Sequence, residues 1–252
     1  TSAAKVTIAD STEITTYAKY GKSGSYLIDP VDFVVAFKDG DISNTRLQYI
    51  LGTSNVTIQN YSDNSKITTR KLPVSDSLDA TSTVSGASTG LGDIYIKSGI
   101  SWSANTTLTL NAINNVYINA NINATGNTAG LAVIYGSLGS MKLQNGKSIT
   151  LSGSNPSLSI GGNMYKVINS VGSWDSTSTS DLQGMKNDLA GYYALGSNID
   201  ASATAGWNSN KGFVPIGAST SFTGVFNGLG HTIDSLTING VNNTSLGLFT
   251  KL

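Results

Sequence analysis

The chain has 252 residues, with 15 Lys+Arg against 15 Asp+Glu, no cysteine, and 12% charged residues, about half the share of an average soluble domain. Ser (35), Thr (28) and Asn (24) make up about a third of it, and Glu13 is the sole glutamate. These figures exclude a coiled coil, a disulfide scaffold, cysteine-based metal or thiolate chemistry, and nucleic-acid binding through a basic patch. At 39% hydrophobic residues the composition is not that of a disordered chain. No run of 18 apolar residues reads as a membrane-spanning helix, and Thr1-Ser2-Ala3-Ala4-Lys5 has no signal-peptide layout. A polar, weakly charged, cysteine-free chain is typical of exported bacterial β proteins. Threading an unfolded chain through a narrow pore requires that no disulfide loops close on the way.

Strand signals run through most of the sequence. Short runs with apolar residues at period two occur at Lys5-Val6-Thr7-Ile8, Asn55-Val56-Thr57-Ile58, Asp93-Ile94-Tyr95-Ile96 and Thr107-Leu108-Thr109-Leu110. They continue at Val116-Tyr117-Ile118-Asn119, Ala132-Val133-Ile134-Tyr135, Ser148-Ile149-Thr150-Leu151, Leu158-Ser159-Ile160, Thr232-Ile233 and Leu236-Thr237-Ile238. Each predicts one buried and one solvated face. Ile94 precedes Val116 by 22 residues and Leu108 precedes Leu131 by 23, close to one coil of a β-solenoid. Asn-rich turns such as Asn119-Ala120-Asn121-Ile122-Asn123 suit stacked side-chain amides. The fold class expected is all-β: a right-handed parallel β-helix with two short helical excursions. A β-sandwich or multi-domain β protein is the alternative, although sandwich domains run to about 100 residues.

The first helical excursion spans Asn44 to Leu51, with Asp41 or Ser43 as N-cap and Gly52 as stop. The second begins at Ser180-Asp181-Leu182-Gln183, which reads as a capping box; Leu182, Met185 and Leu189 form its apolar face and Gly191 ends it. Such a helix needs a partner surface, and the side of the solenoid supplies it. Tyr61 to Gly90 has few strand signals and reads as a long loop excursion; its basic residues Lys66, Arg70 and Lys71 read as solvated charges. The expected organisation is β-helix coils over 1–162 with the loop near 61–90, a helical excursion and return over 163–211, and a repeat continuing the β-helix over 212–252.

Leu27-Ile28-Asp29-Pro30-Val31-Asp32-Phe33, Gly40-Asp41-Ile42-Ser43, and the runs at Asn55-Val56-Thr57-Ile58 and Gly92-Asp93-Ile94-Tyr95-Ile96 resemble the filamentous haemagglutinin-like family. Ser101 to Ala112 and Asn115 to Ile122 look like further coils of that family. Downstream, Asp181-Leu182-Gln183, Tyr193 to Ala201, Gly212-Phe213-Val214-Pro215-Ile216-Gly217 and Phe222 to Ile233 are similar to the GLUG-type repeat and its lead-in. Together the resemblances cover roughly 24–60 and 90–250. They imply an adhesin exported by two-partner secretion, recognised by an outer-membrane transporter through a region not present here, and secreted or displayed on the surface of a Gram-negative bacterium. The family's N-terminal secretion domain is not apparent, and the repeat's closing segment stops at Gly247-Leu248-Phe249-Thr250, so the chain reads as an internal fragment.

Chemistry-bearing residues are sparse. His231 is the single histidine, so neither a two-His metal site nor a triad without it is open to this chain; it reads as a structural or exposed side chain. Asp29 and Asp32 are a candidate carboxylate pair, and Asp39 and Asp41 a candidate calcium pair, each pair reading more simply as turn, cap or solvated acids. Asn55, Asn60, Asn105, Asn123, Asn242 and Asn243 begin Asn-x-Ser/Thr sequons. The aromatics Trp174, Tyr192, Tyr193 and Trp207 are the candidate glycan-contact residues, with a covered helix-to-solenoid seam as their other reading. No cofactor, metal, nucleic-acid partner or catalytic residue is expected. The function expected is adhesion to host cells, other bacteria or matrix polysaccharide, through glycan or protein receptors and with self-association open. A passive stalk, a filament subunit and a glycan-active β-helix enzyme are the rivals.

Overall fold

The computed structural model describes residues 8–12, 25–28, 32–60, 91–240 and 246–250. The expected excursion at 61–90 with Lys66, Arg70 and Lys71, the run Lys5-Val6-Thr7, Asp29, and the sequons at Asn242 and Asn243 lie outside them. Strands dominate, and nearly all pair in parallel. β1 (Ser25–Ile28), β2 (Phe33–Val35), helix α1 (Asn44–Leu51) and β3 (Asn55–Gln59) come first. Three sets of three follow: β4 (Ile94–Ile96), β5 (Ile100–Trp102) and β6 (Thr107–Asn111); β7 (Val116–Ile118), β8 (Ile122–Ala124) and β9 (Gly130–Ile134); β10 (Met141–Leu143), β11 (Ile149–Leu151) and β12 (Ser157–Ile160). Corresponding members stack as β2-β4-β7-β10, β5-β8-β11 and β1-β3-β6-β9-β12. Each circuit of the chain therefore adds one strand to each of three parallel sheets.

The two sequence offsets are observed registers: Ile94 pairs with Val116, and Leu108 pairs with Leu131. Alternation explains why. In β3, β4, β6, β7, β8 and β11 the residues at odd and even positions alternate between buried and half-exposed, so one β-branched or Leu set per strand faces inward. Ile94, Ile96, Val116, Ile118, Ile100, Ile122, Ile149, Leu108, Leu131 and Leu158 meet in one core. Burying each such side chain contributes about 1.5–3 kcal/mol.

Helix α1 takes the place of a strand below β5. Ser43 caps it, its Oγ accepting from the Arg46 N–H at 3.0 Å, and Gly52 closes it. Of the two expected caps the structure uses Ser43; Asp41 instead lies buried with Oδ2 accepting from the Val34 N–H at 2.8 Å. The helix also covers the β5 edge. Gln48 Oε1 accepts from the Ser101 N–H at 2.7 Å and Asn44 Nδ2 donates to the Gly99 carbonyl at 2.9 Å, so exposed ladder groups find side-chain partners.

At Gly161 and Gly162, both with positive φ (58° and 83°), the chain turns back, and β13 (Asn163–Ile168) pairs antiparallel with β12. Beyond it, β14 (Tyr192–Leu195) and β16 (Val225–Asn227) continue in parallel, and β15 (Ile199–Asp200) pairs with β17 (Ile233–Asp234). Here Tyr192 pairs with Val225 and Ile199 with Ile233, a longer circuit that carries its own core of Ile168, Leu182, Met185, Tyr193, Leu195, Phe213, Ile216 and Phe222.

The second expected helix is a five-residue 3₁₀ turn, Gln183–Asn187, and another follows at Ser202–Gly206. The capping box is replaced. Asp181 accepts from the Gly184 N–H at 2.7 Å and from the Ser176 hydroxyl at 2.7 Å. Gln183 does not reach back to Ser180; it is buried and exchanges two hydrogen bonds with the Val214 backbone, donating at 2.9 Å and accepting at 2.8 Å. A Gln side chain spent on a neighbouring segment cannot stabilise its own helix end. Leu182 and Met185 are nonetheless buried, as expected.

Leu131→Ala is expected to lower the unfolding free energy by about 2–5 kcal/mol, whereas Thr109→Ala on the outward side of β6 should stay within about 0.5 kcal/mol. Urea unfolding followed by circular dichroism checks both, and equal losses would contradict the inward–outward assignment.

Candidate binding face

The corners between sheets carry one recurring device: a side-chain oxygen accepts a backbone N–H of the next circuit. Asp32 Oδ1 accepts from Gly92 and Asp93 N–H, both at 2.9 Å; Asp93 Oδ1 accepts from Asn115 N–H at 2.8 Å; Asn115 Oδ1 accepts from Ser140 N–H at 3.1 Å. Asn55 does the same to Thr107, Asn60 to Ile113, Asn105 to Thr128, Asn121 to Ser148 and Asn198 to Thr232. Asparagine thus serves the stack by side chain to backbone, where the sequence suggested stacked side-chain amides. Asp32, expected to be solvated or catalytic, is buried and part of this column.

Outward positions are registered too. Val34, Tyr95, Tyr117 and Lys142 stand in one column on the sheet β2-β4-β7-β10. The Tyr95 and Tyr117 rings stack with centroids 4.8 Å apart and planes 5° from parallel. Lys142 Nζ lies 4.9 Å from the Tyr117 centroid and donates to its hydroxyl at 3.3 Å, and Lys97 Nζ sits 5.8 Å from the Tyr95 centroid. The Tyr95 hydroxyl donates to Asp93 Oδ2 at 3.1 Å; burial, together with the Asp93 charge, raises its pKa well above the ordinary tyrosine range. Neighbours cover these ring faces, so edges and hydroxyls are what the column presents. Sequence reasoning passed over both tyrosines, although they stand at matching places in Asp93-Ile94-Tyr95-Ile96 and Asn115-Val116-Tyr117-Ile118.

The four expected glycan-contact aromatics stand in different surroundings. Trp174 is half exposed, and its carbonyl accepts from Lys186 Nζ at 2.9 Å. Tyr192 packs edge-on against Tyr165 at 5.4 Å. Tyr193, its neighbour on β14, is fully buried and donates to the Asp188 carbonyl at 2.7 Å, so it is a core residue and not a contact residue. Trp207 is partly buried against the second core. The Tyr193 hydroxyl is pushed up to about 12 by burial and by the nearby Asp188 carboxylate, while a hydrogen bond from Lys166 (2.8 Å) holds Asp188 below its usual range.

His231 is a structural bridge. Its Nε2 lies 2.9 Å from the Ile149 carbonyl and its Nδ1 3.1 Å from Asn198 Oδ1, tying the later circuits to β11. Asp39 is exposed with φ 58°, and Asp41 is committed to Val34. Among the described residues no group of three His, Cys, Asp or Glu side chains is placed to hold a metal ion. Of the sequons, Asn60 is buried, Asn55 and Asn105 are tied to the next circuit, and Asn123 stands outward between Ser101 and Thr150.

No family model matches the chain, and no solved structure matches it. The filamentous haemagglutinin-like and GLUG-type resemblances therefore rest on the residues quoted for them. One curated protein is similar over part of the chain: Halomucin of Haloquadratum walsbyi (strain DSM 16790 / HBSQ001), 45% identical over 78 residues, 27% of this chain. The matched stretch is 1% of that relative's length, so this chain corresponds to a small piece of it.

Asp93→Ala would strand the buried Asn115 N–H and two side-chain amides, and a loss of about 3 kcal/mol is expected in urea unfolding; a near-neutral result would remove the corner column from the account. For Tyr193 the folded state holds its proton more tightly than the unfolded state does, so stability falls as pH rises from about 10 towards 12. Tyr193→Phe should make that decline shallower, as read from denaturation midpoints at pH 9 and 11.5, with Tyr95 and Tyr165 supplying what slope persists.

Proposed function

We propose that this chain is a segment of a surface-displayed, non-catalytic attachment protein: a right-handed parallel β-helix that holds polar outward columns for adhesion to cells or matrix polysaccharide. The observation that carries the reading is the registered stacking of successive circuits. It places like residues at like positions along the stack, and so repeats any weak contact at intervals of about 4.8 Å. Outward strand positions include many Thr, Ser, Asn, Lys and Tyr residues, side chains that hydrogen-bond sugars and proteins. Many such contacts sum by avidity when the parent molecule presents several copies of the face. The partial similarity to Halomucin, a large surface protein, supports surface association, and the filamentous haemagglutinin-like resemblance supports the adhesive role.

A second reading, a passive stalk that spaces binding regions borne elsewhere, draws on the Tyr95–Tyr117–Lys142 column, whose ring faces are already covered. The two are separated by displaying the 252-residue chain at high density on beads and measuring adherence to cells and to polysaccharide-coated surfaces. The attachment reading expects adherence well above that of beads bearing a control protein, falling steeply as surface density drops. Adherence equal to the control at every density would leave the stalk.

A further inference from the structure

Arg46 stands apart from the corner columns and from the Tyr95–Tyr117 face. It lies in the first turn of α1 and is 95% buried, at 5% exposure, yet among the described residues its Nε and Nη2 have no hydrogen-bond partner. A buried cationic donor without an acceptor is strongly disfavoured, and a water, ion or ligand arriving from outside is one way such a group is satisfied. The identity of the two orphaned atoms is informative. Nε–H and Nη2–H point in parallel along one side of the guanidinium, the side-on fork that takes both oxygens of a carboxylate.

The surroundings narrow the ligand. Arg46 lines an open pocket of about 490 Å³ together with Asp10, Ser11, Thr12, Thr45 and Tyr49. Four of these, Ser11, Thr12, Thr45 and Tyr49, offer hydroxyls. The Tyr49 ring is 60% exposed with the guanidinium 4.9 Å from its centroid, so the remaining ring surface is open to the C–H face of a pyranose. The N-terminus of α1, at Asn44 and Thr45, adds a favourable field for negative charge. Asp10, the one carboxylate at the rim among the described residues, is engaged by the Ser43 hydroxyl and makes no hydrogen bond to the fork nitrogens.

We infer that this pocket binds a uronic-acid residue of an acidic polysaccharide, its carboxylate bidentate on Arg46 Nε and Nη2 and its ring against Tyr49. The assignment rests on the attachment reading and names its ligand. Both fork nitrogens are shielded from water in the ligand-free chain, so seating the carboxylate requires the side chains around the guanidinium to shift. Lysine in place of Arg46 keeps the charge and loses the fork. Asparagine in place of Asp10 keeps an acceptor for Ser43 and removes a repelling charge.

Isothermal titration of the full chain with trigalacturonate, and with galactotriose as the uncharged control, tests this. The acid should bind at least tenfold more tightly than the neutral sugar. Arg46→Lys and Tyr49→Ala should each weaken the acid, the first by tenfold or more, and Asp10→Asn should strengthen it several-fold. Thermal melts verify that each variant folds; should Arg46→Lys not fold, the opposite effects of Tyr49→Ala and Asp10→Asn carry the result. Absence of trigalacturonate binding, equal binding of both sugars, or a folded Arg46→Lys variant that binds like the parent overturns the site. A chain that adheres to surfaces but binds no trigalacturonate overturns this inference alone; one that binds it through Arg46 and adheres to nothing overturns the attachment reading alone.

Discussion

The parallel strands of each stack are held by hydrogen bonds to strands of neighbouring circuits. A parallel ladder cannot be closed by a tight turn within one sheet, since neighbouring strands are joined only by a full circuit of chain. The corners between sheets must therefore leave few backbone N–H groups stranded. Asp32, Asp93 and Asn115 meet that demand at one corner, each oxygen taking an N–H of the circuit that follows. The device fixes register as well as satisfying donors. A slip of one residue would break the corner bonds and turn Ile94 and Ile96 outward together.

Register in turn makes the outer surface repetitive without any selection for binding. Once Ile94 sits over Val116, Tyr95 must sit over Tyr117, and two tyrosines so placed stack at 4.8 Å. The low charge of the chain follows the same logic, because identical charges in one column would repel at the strand spacing. The columns instead carry hydroxyls and amides such as Ser101, Asn123 and Thr150, or alternate a lysine with a ring, as at Tyr117 and Lys142. Composition and topology thus have one cause.

The parts legible in the sequence were those set by that repeat. The 22- and 23-residue offsets are pairings in the structure because inward β-branched and Leu residues leave a period that no turn conceals. The α1 helix was legible to its last residue because cap, apolar face and stop are all local. Strands β5, β8 and β10 were not; β8 begins inside the Asn-rich run at 119–123, whose composition reads as a turn. The expected helix at Leu182 gave way to a 3₁₀ turn because Gln183 bonds to Val214, 31 residues on, a contact no local pattern records. The site was less legible than the fold. Clustering aromatics by sequence put Tyr192 beside Tyr193, but adjacent strand residues face opposite ways, and Tyr193 went to the core. Arg46 carried no signal: as a helical residue its burial depends on what packs over it.

The antiparallel pair at β12 and β13 shows where the stack is protected. An unpaired edge of a parallel sheet is a template for another chain, and the long sheet escapes this at β12 by folding β13 back upon it through Gly161 and Gly162. The neighbouring edge at β11 is met by Leu229 and Gly196, whose carbonyls accept from Ile149 and Leu151, with His231 closing onto the Ile149 carbonyl. At the opposite side α1 covers β5 with Gln48 and Asn44. At β11 and β5, backbone carbonyls of loops and side chains take the place that β13 takes at β12. The same substitution that covers β5 places Arg46 beneath Tyr49: a helix inserted to close a strand edge projects side chains outside the repeating pattern. In a stack whose other surfaces are dictated by register, that is where an unrepeated pocket can form.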